Sequence, residues 1–122
     1  MKSRNRWHSF TAALHGMAHT VLTQRNAWIE VAAACGVAAA GIWLHIQPLE
    51  WALLALVVAL ILALEAVNTA IEAVVDLVSP AIHPLARIAK DCAAGALLFA
   101  TLGALGVAAA IFGPRLAVML TG

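Results

Sequence analysis

The sequence predicts an all-α integral membrane protein, a single membrane domain over residues 1–122 built from three transmembrane helices and an N-terminal surface helix. Apolar residues make up 64% of the chain and charged residues only 11%, whereas a soluble domain carries about 25% charged residues. Residues 31–49, 51–64 and 92–114 contain no formally charged side chain. Apolar runs of about 20 residues cross a bilayer as helices, because lipid offers the backbone no hydrogen-bond partners.

The N-terminal segment, residues 6–24, has the spacing of an amphipathic helix. Its large apolar side chains recur every three or four residues, at Trp7, Phe10, Leu14, Met17 and Val21. Its polar side chains fall between them, at Arg6, His8, His15 and His19. A helix of this pattern is expected to lie in the membrane surface, and a frayed polar tail is the plainer alternative.

The three transmembrane helices are predicted over residues 27–46, 50–78 and 85–113. A polar turn, residues 47–50, separates the first two. Ser79-Pro80 is expected to end the second helix and Gly113-Pro114 the third, because proline lacks the backbone N–H and restricts the residue before it.

Lysine and arginine positions predict the orientation. Lys2, Arg4, Arg6 and Arg25 precede the first span, and Arg87 and Lys90 follow the second, whereas the turn at 47–50 has no basic residue. The positive-inside rule therefore places the N-terminus and the loop near residues 79–90 in the cytoplasm.

Composition also excludes several functions. A net charge of +1 implies no strong polyanion partner, so no nucleic-acid binding is expected. The two cysteines, Cys35 and Cys92, form no CxxC pair, so a zinc site is not expected, and both are predicted to be buried free thiols. No P-loop motif is present, which argues against the nucleotide site of a soluble kinase.

The strongest functional signal is an acidic stripe in the second transmembrane helix. At about 100° per residue, Glu65, Glu72 and Asp76 fall within about 40° of one another, and Asn68 and Thr69 flank the same line. A carboxylate at mid-membrane costs about 2.5–3.5 kcal/mol on insertion scales. Three of them on one stripe therefore indicate a function, with a solvated helix end as the bland alternative.

Clustered carboxylates suit phosphoryl transfer. One carboxylate can accept a proton from a hydroxyl group, and others, with an amide or hydroxyl oxygen, can hold Mg²⁺. Lys90, which begins the third helix at the same membrane side, can neutralise phosphate oxygens. The same stripe could instead line an ion or proton path, which leaves a non-enzymatic bundle as an alternative.

The motif Glu65-Ala-Val-Asn68-Thr69-Ala-Ile-Glu72-Ala-Val-Val-Asp76, with His83-Pro84 and Ala89-Lys90-Asp91 after it, closely resembles the prokaryotic diacylglycerol kinase family. The resemblance covers about residues 6–114, and the stretch from His83 to Asp91 looks more like the undecaprenol kinase branch. It implies a homotrimeric membrane enzyme of the bacterial inner membrane, with active sites shared between subunits. It also implies ATP- and Mg²⁺-dependent phosphorylation of a lipid hydroxyl, on undecaprenol or diacylglycerol.

The resemblance also assigns roles to residues. Glu72 is the implied base and a metal ligand, with Asn68 and Glu65 as its catalytic neighbours. The residues implied near the nucleotide are Lys90, Asp91, His83 and Glu30. Gln24 stands where the family usually has a second metal-binding glutamate, and the family's aromatic residues near the adenine are missing, since the chain has no tyrosine. A catalytically weak or accessory member, which binds nucleotide or lipid without turnover, is therefore an alternative.

Overall fold

Four helices form the part of the chain that the computed structural model describes, residues 5–122. They are α1 (Arg6–Thr23), α2 (Arg25–Leu44), α3 (Pro48–Val78) and α4 (Pro84–Thr121). The last three are each long and apolar enough to cross a membrane, which confirms the all-α class and the three spans. Lys2 and Arg4, which contribute to the predicted orientation, lie outside the described residues.

Local side-chain bonds and prolines set where the helices begin. The Asn5 side chain accepts a hydrogen bond from the His8 backbone N–H at 2.8 Å and so caps α1. Pro48 and Pro84 stand in the first turns of α3 and α4, where a missing N–H removes no helical bond. Before α4, His83 Nδ1 accepts from the Leu85 N–H at 3.1 Å.

The α2–α3 turn is short because His45 ends α2 in a left-handed conformation, with φ of 53°. Its backbone N–H bonds back to carbonyls of the last turn of α2, a common helix ending. Gly41 lets α3 approach there: a Cβ at this position would lie 2.7 Å from Trp51 Cη2 and 3.0 Å from Ile46 Cδ1. The lack of a side chain at Gly41 therefore permits the packing of Trp51 against α2.

We call the end of the bundle with the α2–α3 turn the turn end, and the end with the α3–α4 connection the loop end. The buried apolar core lies towards the turn end, where Ile46, Leu54 and Ile111 pack together. Side chains around them complete the cluster: Val37, Leu44, Trp51, Val107 and Phe112. The turn end is thus held by apolar contacts among α2, α3 and α4.

An ion pair joins α3 and α4 at the turn end. Arg115 donates from Nη2 to Glu50 Oε1 at 2.6 Å and from Nη1 to Glu50 Oε2 at 2.7 Å. Both side chains are mostly covered, at 28% and 20% exposed. Glu50 Oε1 also accepts the Gln47 backbone N–H at 2.9 Å. The carboxylate therefore caps the start of α3 and anchors the far part of α4.

The prediction that the third transmembrane helix ends at Gly113-Pro114 is wrong, because α4 continues through Pro114 to Thr121. Arg115, the next residue, bonds Glu50 and also donates from Nη1 to the Ile111 carbonyl at 2.8 Å. These bonds hold the helix together across the proline. The resulting 38-residue helix is about 57 Å long, well beyond the roughly 30 Å of a hydrocarbon core.

The outward faces of the helices are apolar and exposed. Leu56, Leu60, Phe99 and Leu102 are examples, at 49–80% exposed, as suits helices surrounded by lipid or by other helices. Both cysteines are free but exposed, so the prediction that they are buried is wrong. Apolar position in a membrane helix does not imply burial within the protein, because lipid accepts the side chain equally well.

We expect Gly41→Val to destabilise the protein by about 1–3 kcal/mol, because the added atoms overlap Trp51 in a packed contact. Gly36→Val in the same helix is the matched control, since no atom lies within 4 Å of its Cβ position. Thermal unfolding in micelles measures both. Equal losses in the two variants would show that Gly41 has no packing role.

We expect Arg115→Met to lower the thermal midpoint, because Glu50 would lose its two charged hydrogen bonds in a mostly covered place. The charge-reversed double variant E50R/R115E should recover part of the lost thermal midpoint. Each single charge reversal should lower the midpoint more than Arg115→Met does. A double variant no more stable than the worse single reversal would contradict the pairing.

Candidate active site

The acidic stripe of α3 runs from the protein interior to the surface as it approaches the loop end. Glu65 is 3% exposed and Asn68 is 9% exposed. Glu72, two turns beyond Glu65, is half-buried, and Asp76 is exposed. Since the four side chains lie along one side of the helix, the stripe leads continuously from a buried carboxylate to solvent.

Glu65 faces α2. Its carboxylate lies within electrostatic range of Glu30 and Glu72, and Asn26 of α2 stands against it. Its backbone carbonyl accepts the Thr69 hydroxyl at 2.8 Å. Glu65 therefore has two other carboxylates within electrostatic range, one from α2 and one from its own helix.

Asn68 links this group to Glu72 and is itself incompletely bonded. Its Nδ2 donates to Glu72 Oε1 at 3.4 Å, a long bond. Its Oδ1 is buried and has no partner in the described chain. Buried polar atoms nearly always have a partner, so Asn68 Oδ1 marks a place where a donor or a cation belongs.

A cavity opens beside Asn68 between α3 and α4, with a volume of about 420 Å³. Its α4 wall is made of small side chains, Ala89, Cys92, Ala93 and Ala96. Apart from Asn68, its α3 wall is aliphatic, with Leu64, Val67 and Ile71. The stripe is therefore reached from the apolar side of the bundle as well as from the loop end.

A groove at the loop end, which we call the loop groove, has a volume of about 370 Å³. It is lined by the charged and titratable residues around the α3–α4 connection: Asp76, His83, Arg87, Lys90 and Asp91. Lys90 Nζ donates to Asp76 Oδ1 at 2.7 Å and so joins the start of α4 to the acidic stripe. Two cations and an imidazole beside carboxylates are the groups that bind phosphates.

The structure thus brings most of the predicted residues together in two neighbouring groups. Glu65, Asn68 and Glu72 lie along the stripe, and His83, Lys90 and Asp91 line the loop groove. Glu30, predicted near the nucleotide, lies beside Glu65 and is not among the residues that line the loop groove.

The predicted metal ligands are not gathered into a closed site. Gln24 is the residue between α1 and α2, and it lines a separate cavity with Arg25 and Trp28. Within residues 5–122, no three histidine, cysteine or acidic side chains are close enough to hold a metal ion. Any Mg²⁺ here would therefore take part of its ligands from elsewhere, as Mg²⁺ does with water and substrate phosphates.

Sequence reasoning gave no site role to two residues that the structure places at the site. Asn26 stands against Glu65, and Arg87 lines the loop groove. Helical spacing could have indicated Asn26, since it precedes Glu30 by four residues. Asp76 was expected on the stripe, and the structure adds its bond to Lys90.

Fold and site together define the class: a small α-helical integral membrane protein with carboxylates and cations gathered towards one end of its bundle. A family model described as prokaryotic diacylglycerol kinase matches residues 11–112. The chain therefore belongs to the prokaryotic diacylglycerol kinase family. Membership confirms the class indicated by the motif, a membrane lipid kinase, at the level of the family.

Two curated relatives agree with this assignment. The chain is 43% identical over 109 residues to a diacylglycerol kinase of Synechocystis sp., a match that covers 88% of this chain and 62% of that protein's length. It is 40% identical over 109 residues to the undecaprenol kinase of Bacillus subtilis, covering 88% of both chains. The relatives thus carry two different lipid names.

Proposed function

We propose that this protein transfers the γ-phosphoryl group of ATP to the hydroxyl group of a membrane lipid, undecaprenol or diacylglycerol, at the cytoplasmic surface of the bacterial inner membrane. The observation that carries the proposal is the direct contact between the two groups of the site. Asp76 of the acidic stripe and Lys90 of the loop groove are 2.7 Å apart. An acceptor on the stripe and phosphates in the groove would therefore be neighbours.

On the acceptor side, Glu72 takes the proton of the lipid hydroxyl. Asn68 Nδ2 donates to one of its carboxylate oxygens, which orients the carboxylate and leaves the other oxygen free. Because the buried Asn68 Oδ1 has no hydrogen-bond partner, it supports the binding of a polar ligand at this depth. Glu65 lies buried behind them, within electrostatic range of Glu72.

On the nucleotide side, Lys90 offsets the charge of the phosphates, and His83 and Asp91 line the same groove. Because the Leu85 N–H occupies His83 Nδ1, the other ring nitrogen is the one available to a ligand. Glu30 would act through Glu65 and not by touching the nucleotide.

The oxygen ligands of this site fit Mg²⁺, which binds hard oxygens and usually shares them with phosphates. Glu72 and Gln24 would hold it, with Asn68 Oδ1 as a further neutral oxygen. When bound, it supplies positive charge against the phosphoryl oxygens. Gln24 brings no charge, which supports a second candidate function, a weak or accessory family member that binds nucleotide or lipid with little turnover.

The topology and assembly of the enzyme complete the proposal. Arg6 and Arg25 flank α1, and Arg87 and Lys90 begin α4, so the N-terminus and the loop end face the cytoplasm. Helix α1 lies along the membrane surface with its exposed Trp7, Phe10 and Met17 towards lipid. The exposed apolar faces of the bundle, with their small residues, support a homotrimer whose active sites are shared between subunits.

We expect Glu72→Gln to reduce lipid phosphorylation by about 10²–10⁴-fold, because a carboxamide cannot accept the hydroxyl proton. The assay follows transfer of label from ATP, with Mg²⁺, to undecaprenol and to diacylglycerol in parallel micelle samples. Label in one lipid alone identifies the acceptor.

The matched control is Glu50→Gln, which makes the same atomic change at the other end of the same helix. Assayed below its unfolding temperature, it should retain most of its activity. Full activity of folded Glu72→Gln would overturn the catalytic role, and ion flux through liposomes without any kinase activity would favour an ion-conducting bundle.

We expect Gln24→Glu to lower the Mg²⁺ concentration needed for half-maximal activity, because a carboxylate binds Mg²⁺ more strongly than an amide oxygen does. Gln47→Glu, at the other helix junction, is the control and should not change it. An unchanged Mg²⁺ requirement in Gln24→Glu would remove Gln24 from the metal site.

A further inference from the structure

The ion pair between Asp76 and Lys90 is the only contact by which the structure directly bonds the acidic stripe to the loop groove, within residues 5–122. It joins side chains 14 residues apart across the α3–α4 connection. It lies in the open, with 67% of the Asp76 side chain and 42% of the Lys90 side chain exposed. An ion pair so exposed is weak, because water and salt compete with both partners.

The Glu50–Arg115 pair of the same two helices provides the contrast. Arg115 presents two nitrogens to two carboxylate oxygens and has a further bond to the Ile111 carbonyl. Lys90 presents a single ammonium group to a single oxygen of Asp76. A flexible lysine with one exposed bond can exchange its partner, whereas the forked arginine pair cannot do so without losing several bonds.

The surroundings of Lys90 indicate which partner would replace Asp76. Arg87 and His83 line the same groove, so a ligand with several negative oxygens could contact all three groups at once. A carboxylate has one negative charge, whereas a nucleotide phosphate chain carries several. A phosphate in the groove therefore competes favourably for Lys90.

We propose that Asp76 is an exchangeable counter-ion for Lys90: its carboxylate occupies the position of a phosphate oxygen and gives way when nucleotide binds. The inference rests on the proposed function and assigns Asp76 a part in controlling its nucleotide site. Asp76 keeps the Lys90 side chain directed across the groove. It competes with the nucleotide for Lys90, and it recovers Lys90 when the product leaves. Asp76 is thus a positioning residue that acts through Lys90.

The test measures binding of ATP to the full-length protein in micelles, by equilibrium dialysis in EDTA so that no metal contributes. Asp76→Asn should bind ATP about two- to fivefold more tightly than the wild type, as removal of an exposed competing charge implies. Asp76→Glu, which keeps the charge, should resemble the wild type. In kinase assays, Asp76→Asn should lower the KM for ATP and leave the KM for the lipid unchanged.

The double variant separates competition for Lys90 from general repulsion. Lys90→Met should bind ATP more weakly, and adding Asp76→Asn to it should have no further effect, because no ion pair remains to be broken. The inference is overturned if Asp76→Asn leaves ATP affinity unchanged or weakens it. It is also overturned if the tightening is equally large in the Lys90→Met background.

The ATP-binding and kinase assays together distinguish failure of this inference from failure of the proposed function. A wild-type protein that phosphorylates lipid, with Asp76→Asn unchanged in ATP affinity, overturns only the role of Asp76. A wild-type protein that binds no ATP and phosphorylates no lipid overturns both.

Discussion

The constraint on which this structure depends is that polar groups within a bilayer must find partners inside the protein. The backbone meets it by forming three long helices, α2, α3 and α4, joined by short connections. The side chains at the turn end meet it too, since Glu50 and Arg115 satisfy each other. Glu50 also caps the start of α3, and Arg115 also bonds a carbonyl within α4. This end of the bundle combines a closed ion pair with the apolar core.

The half of α3 that runs towards the loop end does not meet that constraint fully. Asn68 leaves a buried oxygen unpaired, Glu65 is buried beside other carboxylates, and Asp76 has one exposed bond. Such groups destabilise a fold unless something else compensates them. The Glu50–Arg115 pair thus lies in the first turn of α3, whereas these polar groups lie in the second half of the helix. The nearest of them, Glu65, follows Glu50 by 15 residues, which is about 22 Å along the helix.

The parts of the fold that the sequence could predict are those that depend on periodicity and lipid alone. Three apolar runs indicated three spans, and a spacing of seven and four residues put Glu65, Glu72 and Asp76 on one side of α3. The errors arose where partners are distant in sequence. Gly113-Pro114 was expected to end a helix, but Arg115 bonds Glu50, 65 residues earlier, and the helix continues. Likewise the contact of Asn26 with Glu65 and the bond of Asp76 to Lys90 depend on how α2 and α4 pack beside α3.

The same division explains why α3 suits a reaction between a lipid and a soluble nucleotide. Its stripe begins at the buried Glu65, passes the cavity lined by Asn68 and small α4 side chains, and ends at Asp76 in the loop groove. A lipid approaches such a helix sideways, from the apolar medium, and a nucleotide approaches it from the end, through water. A single helix that crosses from one medium to the other can present reactive groups to both without a moving domain. In the proposed arrangement, specificity for the acceptor would depend on the apolar walls, whereas phosphate binding would depend on the few charges at the loop end.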